Sequence, residues 1–390
     1  MSPRARLMIA LVSTVLVGYI AVGSVLGRVL GDSTYGQLAV FNEVVRIVLE
    51  AYVEPVNLDR AMAGARLGLT DALDGDSAYL DDEEFRAYQQ GARGGDADVG
   101  VLLARRPPFL IVASVRPGSP GEKAGVKAGD ILKTIDGRHT RPLSTVTGQR
   151  MLRGAPGSVA KLTLLRIGAD PIDVSVTRER LAPLLPQGRL LPDGSTGYLK
   201  VAELPARAGE AVRSEVDSLR RSGARRLVLD LRGAGQGVPE EGVKLAEVFL
   251  KGGLVTKLVG RKSGEQAFTA DPSRSAWELP LAVLVDNGTA GPAEIAAAAL
   301  LDSGRASLVG EHTAGRAAVQ KAIPLPEGGL VLTVAKYVSP KGTAIHGKGI
   351  DPTVTVAAEE SDEEGSGAPA GDPALDKALE LLKGGAKKAA

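Results

Sequence analysis

The spacing of apolar residues changes along the chain and divides it into regions. Between residues 34 and 90, apolar side chains recur at intervals of three and four, which is typical of amphipathic helices. The clearest set is Leu38, Phe41, Val45, Val48 and Tyr52. Pro55 ends this helix, and Asp59 is the predicted N-cap of the next one. We therefore expect residues 32–90 to form a helical N-terminal region.

A break at 91–97, GARGGDA, precedes short strand-like runs such as VGVLLA, FLIVASV and AKLTLLRI. Turn residues separate these runs, so we expect a small β-rich domain over 91–182. From 183 onward strands alternate with helices, which predicts an α/β core with largely parallel central strands over 183–357. Residues 358–390 contain an acidic linker and a short amphipathic helix that we expect to dock on the core. The predicted fold class is thus α/β and multi-domain.

The first 31 residues contain an uncharged, mostly apolar run over 7–27 that is long enough to span a bilayer. Arg4 and Arg6 precede it, which favours a cytoplasmic N-terminus and export of the remaining chain. A cleaved signal peptide, with a small-x-small site at 21–23, is the alternative. We prefer the anchor because the apolar run continues past that site. The expected location is the periplasmic side of the cell envelope, where this segment would anchor the protein to the inner membrane.

Composition excludes several functional classes. The 47 basic and 46 acidic residues give a net charge of +1, so no overall field favours nucleic acid as a partner. The chain has no cysteine and only three histidines, which argues against a thiol nucleophile, a metal site or a cofactor held by such ligands. A calcium loop starting at Asp74 fails because Tyr79 occupies the required glycine position. The acids that follow, at 81–84, fit a helix N-terminus.

Several long motifs then occur in a recognisable order. They are SPGEKAGVKAGDILKTIDG at 119–137, DLRGAGQG at 230–237, LAVLVDNGTAGPAEI at 281–295 and DSGRASLVGEHTAGRAAVQ at 302–320. With these motifs the chain resembles the carboxy-terminal processing (tail-specific) serine proteases. The resemblance implies a PDZ-like domain followed by an α/β protease-type core.

The PDZ resemblance implies that Val99, Gly100 and Val101 bind peptide. Such a module adds a polypeptide C-terminus to a sheet edge and captures its carboxylate with backbone N–H groups. Asp96 and Asp98 lie beside this loop and would repel a carboxylate unless they point away. A purely structural small barrel is the alternative.

The same resemblance implies a Ser–Lys dyad with a supporting Gln, but this chain departs from it. Counting back three positions from Glu294 places Gly291 at the serine position, and counting back four from Gln320 places Arg316 at the lysine position. Glycine has no hydroxyl, and an arginine stays protonated and cannot act as a base. The stretch expected to supply the oxyanion donor also differs, since Gly235, Gln236 and Gly237 replace Pro-Gly-Gly. We therefore predict that none of these residues is catalytically functional.

Other residues could in principle substitute for the missing dyad. Thr289 lies two residues before the serine position, and Lys321 lies five after the lysine position. Catalysis tolerates little misplacement, which argues against both. Ser303 and Ser307 are better explained by the turn between a helix and a strand.

The sequence therefore predicts an exported pseudoprotease without cofactor. It would bind polypeptide C-termini or unfolded proteins, or regulate an active protease relative. An active serine-type endopeptidase with a non-standard nucleophile is the alternative, and a structural envelope scaffold is a third hypothesis.

Overall fold

The computed structural model describes residues 36–91, 96–106, 108–356 and 371–385. The chain forms two compact units, the first ending at Ala65 and the second beginning at Arg66. The predicted membrane segment at 7–27 lies outside the described residues. Within the described ranges, no helix has the length and apolar character needed to cross a bilayer.

The first unit contains helix α1 at 36–51 and the start of α2 (Leu58–Asp71). The backbone N–H of Arg60 donates to Asn57 Oδ1 at 2.9 Å, so Asn57 caps α2. The prediction of Asp59 as N-cap is wrong, because the helix already begins at Leu58 and its N-cap lies two residues before Asp59. Asp59 instead lies in the first turn, where its charge favours the helix dipole.

The second unit continues with strand β1 (Ala78–Leu80) and helix α3 (Asp82–Gln89). The prediction of a wholly helical region is therefore wrong at β1, which pairs antiparallel with β18 (Gly329–Val338). Ala78 and Leu80 are buried, and this alternating burial favours a strand. The acidic start of α3 is confirmed, since the Asp81 carboxylate accepts the N–H of Glu84 at 2.8 Å.

A six-stranded antiparallel sheet forms the β-rich module, in the order β2-β3-β4-β6-β7 with β5 paired to β4. Its strands and its two helices α4 and α5 have the following bounds: β2 (Val101–Arg106), β3 (Phe109–Val115), α4 (Pro120–Lys123), β4 (Ile131–Ile135), β5 (Arg138–His139), α5 (Thr145–Met151), β6 (Val159–Leu165) and β7 (Ile172–Thr177). Alternate side chains of β2 and β3 enter a separate apolar core. Helix α5 packs closely on this core, because a Cβ on Gly148 would lie 2.5 Å from Leu110 Cδ1.

The predicted α/β core is confirmed as a second six-stranded sheet with the order β19-β16-β15-β11-β9-β8. All of its ladders are parallel except the one between β8 and β9. The bounds in chain order are β8 (Gln187–Leu190), β9 (Thr196–Lys200), β10 (Glu203–Leu204), α6 (Ala208–Arg221), β11 (Arg226–Asp230), β12 (Gln236–Gly237), α7 (Pro239–Glu247), β13 (Leu254–Gly260), β14 (Gly264–Thr269), β15 (Leu281–Val285), α8 (Pro292–Asp302), β16 (Ser307–Gly310), β17 (Ala318–Pro324) and β19 (Val354–Thr355). Every residue of β15 is buried, as expected for a central parallel strand.

A third sheet, β1-β18-β13-β14 with β17 paired to β18, joins the N-terminal part of this unit to the core. The C-terminal helix α9 (Pro373–Gly385) docks on the parallel sheet, as its amphipathic pattern predicted. Arg232 fastens the start of this helix by donating to both carboxylate oxygens of Asp372, at 2.9 and 2.7 Å.

Candidate functional site

The turn between β15 and α8 ends at Gly291, a residue without a side chain. Asp286 organises this turn, since its Oδ1 accepts the N–H groups of Gly233 at 2.8 Å and Gly288 at 3.0 Å. Gly291 precedes α8 with φ 56° and ψ −116°, a region that L-residues occupy only with strain. A Cβ built on Gly291 would meet only the Arg316 carbonyl oxygen, at 3.9 Å. Position 291 therefore has room for a side chain but presents none.

Glu294 brings the predicted serine and lysine positions together. Its carboxylate is fully buried and accepts the N–H groups of Gly291, Gly315 and Arg316 at 2.9, 2.6 and 2.7 Å, and the Thr313 hydroxyl at 2.5 Å. Burial raises the pKa of Glu294, and these four donors act in the opposite direction. The Glu294 side chain therefore holds two backbone segments in place.

Arg316, in the segment between β16 and β17, is committed to two partners elsewhere in the fold. Its Nη2 donates to Asp76 Oδ1 at 2.5 Å, and its Nε lies 3.1 and 3.3 Å from the two oxygens of the same carboxylate. Its Nη1 donates to the carbonyl of Leu103 on β2 at 2.8 Å. The sequence analysis did not identify Asp76. The acidic turn residue Asp74 holds it in place by accepting the Asp76 N–H at 2.9 Å.

Gln320 lies on β17, and its amide Nε2 donates weakly to Thr333 Oγ1 at 3.4 Å. Lys321 is the next residue on this strand and therefore faces the opposite side of the sheet, where it is exposed. The alternation along β17 separates Lys321 from Gln320.

A cavity of about 280 Å³ collects most of the predicted catalytic positions. We call it the α8 cavity. Its lining includes Gly235, Gly237, Gly291, Arg316, Gln320, Asp76, Leu102 and Tyr337. Gln236 is absent from this lining, and its backbone pairs with Glu203 of β10. The oxyanion stretch thus borders the cavity through its two glycines.

The Gly235 N–H, a potential oxyanion donor, turns inward and donates to the carbonyl of Gly233 at 3.0 Å. Leu102 of the β-rich module packs against this stretch, because a Cβ on Gly235 would lie 2.6 Å from Leu102 Cδ2. The oxyanion stretch is therefore covered by an apolar side chain.

The hydroxyl groups considered as replacement nucleophiles, and that of Tyr337, are poorly suited to attack a carbonyl. Thr289 is fully buried, and its Oγ1 donates to the Leu231 carbonyl at 2.9 Å and lies 3.0 Å from Asp286 Oδ1. Ser303 Oγ bonds back to the carbonyl of Ala299 at 2.7 Å, within its own helix. Tyr337, which the sequence analysis missed, borders the cavity, but burial raises its pKa to about 12. Its phenol therefore stays neutral near pH 7.

The predicted carboxylate-binding loop contains a glycine in the left-handed backbone region. Val99 and Val101 are buried. Gly100 has φ 78°, and a Cβ there would lie 2.2 Å from Ser119 Cβ, so only glycine fits. The Gly100 N–H donates to Asp98 Oδ1 at 2.8 Å. Asp98 thus points toward the loop, whereas the exposed Asp96 lies 3.7 Å from Arg180.

A second cavity of about 330 Å³ lies between β2, helix α5 and the core. We call it the β2–α5 groove. Residues from the β-rich module that line it include Leu102, Val146, Gln149, Arg150 and Arg153, and residues from the rest of the unit include Asp76, Arg316, Gln320 and Val331. Asp76, Leu102, Arg316 and Gln320 border both this groove and the α8 cavity. The two cavities are therefore neighbours that share a wall.

Metal binding finds no support in the geometry of the site. Within residues 36–91, 96–106, 108–356 and 371–385, no three His, Asp or Glu side chains come together in a way that would hold a metal ion. Asp74, considered as a calcium ligand, accepts backbone N–H groups of its own turn instead.

Both the β-rich module and the α/β core match known protein families. The sequence matches the profile of a PDZ domain over residues 111–166 and that of peptidase family S41 over residues 195–356. The carboxy-terminal processing protease CtpA of Bacillus subtilis is 30% identical over 327 residues, covering 83% of this chain and 69% of the relative. A carboxy-terminal-processing protease of Bartonella bacilliformis is 30% identical over 335 residues, covering 83% and 76%.

Among solved structures, a photosystem II D1 C-terminal processing protease superposes with a TM-score of 0.66 at 27% identity. The superposition covers 81% of this chain and 86% of that one. The likeness therefore extends beyond either cavity to most of the fold.

Proposed function

The chain belongs to the carboxy-terminal processing proteases of peptidase family S41, and we propose that it is a member that binds polypeptide C-termini without cleaving them. One observation carries the proposal. Gly291, which precedes α8, has no side chain, and Arg316, which borders the same cavity, is paired with Asp76.

Acyl transfer requires a hydroxyl or thiol and a base that removes its proton. Gly291 supplies no nucleophile, and the chain has no cysteine. A guanidinium cannot be deprotonated in proteins, so an arginine at position 316 cannot accept the proton. Its ion pair with Asp76 also holds it away from that role. These features support a protein that has kept the family's fold and lost its reaction.

The backbone loop and the sheet edge that would bind a peptide are both available in this fold. The loop around Gly100 has a conformation that lets a backbone approach closely, and β2 lies at the end of its sheet. A sheet edge beside a backbone N–H cradle is the general means by which such modules hold a C-terminus. The β2–α5 groove, lined by Arg150 and Arg153, adds positive charge that favours a carboxylate.

The full-length protein mixed with a reduced and carboxymethylated unfolded protein tests the proposal. We expect no cleavage and no labelling by a fluorophosphonate probe. The variant Gly291→Ser/Arg316→Lys restores a hydroxyl and a titratable amine, and we expect it to acquire labelling. Gly291→Ala/Arg316→Lys is the matched control, which differs only by the oxygen atom.

Cleavage by the native chain would contradict the proposal and favour an active endopeptidase with another nucleophile. Thr289→Ala then distinguishes the nearest hydroxyl from a more distant one. Preferential binding of a peptide with a free C-terminus over its amidated form would support the binding role, and equal binding of both would argue for a scaffold.

We also infer that the protein is exported. The support is the apolar run at 7–27 with Arg4 and Arg6 before it. Fusion of residues 1–40 to a reporter enzyme that is active only outside the cytoplasm tests this inference. An inactive reporter would contradict it, and the length of the recovered fusion protein distinguishes an anchor from a cleaved signal.

A further inference from the structure

The free edge of β2 carries the hydrogen-bonding groups that an added strand would use. Among the described strands β2 pairs with β3 alone. In an antiparallel addition, alternate residues of the edge exchange N–H and C=O bonds with the incoming chain. Val101 and Leu103 are the residues whose groups face this edge, as their partners below establish.

The protein's own side chains occupy these groups. Gln149 of α5 donates through Nε2 to the Val101 carbonyl at 2.8 Å, and its Oε1 accepts the Leu103 N–H at 2.9 Å. A side-chain amide has the same donor and acceptor as a peptide group. Gln149 therefore occupies the carbonyl of Val101 and the N–H of Leu103, which are groups that two successive hydrogen-bonding residues of an added antiparallel strand would use.

Two further contacts complete the pattern. The Leu103 carbonyl accepts Arg316 Nη1 at 2.8 Å, and the Gly100 N–H donates to the carboxylate of Asp98 at 2.8 Å. A carboxylate thus already lies at the loop expected to bind one, and Arg153 Nε contacts its other oxygen at 3.1 Å.

We propose that Asp98, Gln149 and Arg316 form an internal ligand that closes the β2–α5 groove until a polypeptide C-terminus displaces it. This inference rests on the proposed function and adds a regulation to it. Asp98 occupies the place of the terminal carboxylate, and Gln149 and Arg316 occupy the places of the terminal backbone groups. The incoming chain bonds the same four backbone groups, so its hydrogen bonds replace those that are lost when the groove opens.

Through Arg316, displacement of the internal ligand also affects the α/β core. It belongs to the segment after β16 and also borders the α8 cavity. A peptide that takes the Leu103 carbonyl removes one of the two partners of Arg316. Occupancy of the groove is therefore coupled to the position of a side chain in the α8 cavity.

The obvious competing explanation is that Gln149 only protects an edge strand from pairing with other chains. In that case, its removal would leave the affinity for C-termini unchanged. The two explanations differ in one measurable quantity, namely the change in peptide affinity when Gln149 is shortened.

The test uses the full chain, the variant Gln149→Ala and the control Gln266→Ala on the exposed strand β14. Hydrogen exchange reports the Leu103 amide. Fluorescence anisotropy reports binding of a fluorescein-labelled hexapeptide pool with four randomised C-terminal positions, either free or amidated. Gln149→Met, which keeps the side-chain length but loses both the donor to Val101 and the acceptor for Leu103, serves as a second variant if the alanine variant folds poorly.

We expect Gln149→Ala to speed exchange at Leu103 and to tighten binding of the free-carboxylate pool about tenfold. The amidated pool and the control variant should show neither effect. Unchanged affinity, or unchanged exchange at Leu103, would overturn the internal ligand while leaving C-terminus binding intact. If no variant prefers the free pool over the amidated one, the proposed function fails and the internal ligand fails with it.

Discussion

The variants Asp76→Asn and Arg316→Met, made singly and together, measure the ion pair that joins the α8 cavity to the β2–α5 groove. The two side chains are 11% and 23% exposed, and their closest atoms are 2.5 Å apart. Asn keeps the shape of Asp76 without its charge, and Met keeps the apolar stem of Arg316. The cycle therefore isolates the pairwise energy from the loss of packing.

The structure indicates the magnitude of each step. Hydrogen bonds to charged groups contribute about 1.5–3 kcal/mol, and removing one partner of a buried pair costs up to about 5 kcal/mol. Because Arg316 keeps some contact with solvent, we expect about 2 kcal/mol for Asp76→Asn. Arg316→Met should cost about 3 kcal/mol, since it also leaves the Leu103 carbonyl without its donor. The coupling energy should be about 1.5 kcal/mol.

Urea unfolding followed by Trp277 fluorescence provides the assay. The chain contains one tryptophan, and it is buried in the α/β core, so the signal reports that core. A matched cycle on Lys257 and Glu265 serves as the control. That pair has a similar separation of 2.7 Å but is 35% and 52% exposed.

We expect the control pair to couple by less than about 0.5 kcal/mol, as exposed pairs do. If the Arg316–Asp76 cycle gives a coupling as small as the control, the ion pair does not hold Arg316 in place. Arg316 would then not be committed to Asp76.

Three further predictions concern the surroundings of the site. Gly242→Ala should destabilise the core by about 3 kcal/mol or more, because the new Cβ would lie 2.2 Å from the carbonyl oxygen of Pro292; urea unfolding measures this. Gly291→Ala should cost only about 1–2 kcal/mol in the same assay, because the position is strained in φ but open in space. Burial raises the pKa of Asp372, but its hydrogen bonds to Arg232 and to the Leu375 N–H, together with the charge of Arg232, lower it overall. The stabilisation that Asp372 contributes is therefore complete above the pKa of the unfolded state, about 4, and is lost as the pH falls through the pKa of the folded state. Hydrogen exchange in α9 should detect this loss, and Arg232→Met should abolish it.

Three residues of the α8 cavity, Gly291, Arg316 and Gln320, could be identified from the sequence by counting along motifs. Gly291 and Arg316 lie at fixed distances from Glu294 and Gln320, and the fold brings all four together. The parallel core could be predicted for a similar reason, because its strands are long apolar runs between helices. Both predictions depend on local order in the sequence, which the fold preserves.

The partners of these residues could not be identified in this way. Asp76 lies 240 residues before Arg316 and sits in a turn beside the three-residue strand β1. A strand of that length has no detectable period, and β1 forms only because β18 pairs with it. Gln149 gives no signal either, since a polar residue in a short helix usually faces solvent. Its contact with β2 depends on the close packing of α5.

The arginine at position 316 links the proposed loss of the reaction to the proposed closure of the groove. A base must be able to lose its proton, whereas a side chain that fastens Asp76 must keep its charge. The guanidinium presents Nε and Nη2 to Asp76 and Nη1 to Leu103, so it serves both partners with different nitrogens. A lysine has one nitrogen, and deprotonating it would weaken the very bond that holds it. A residue at this position can therefore serve as a base or as a permanently charged link between the core and β2. In this chain, the geometry favours the link.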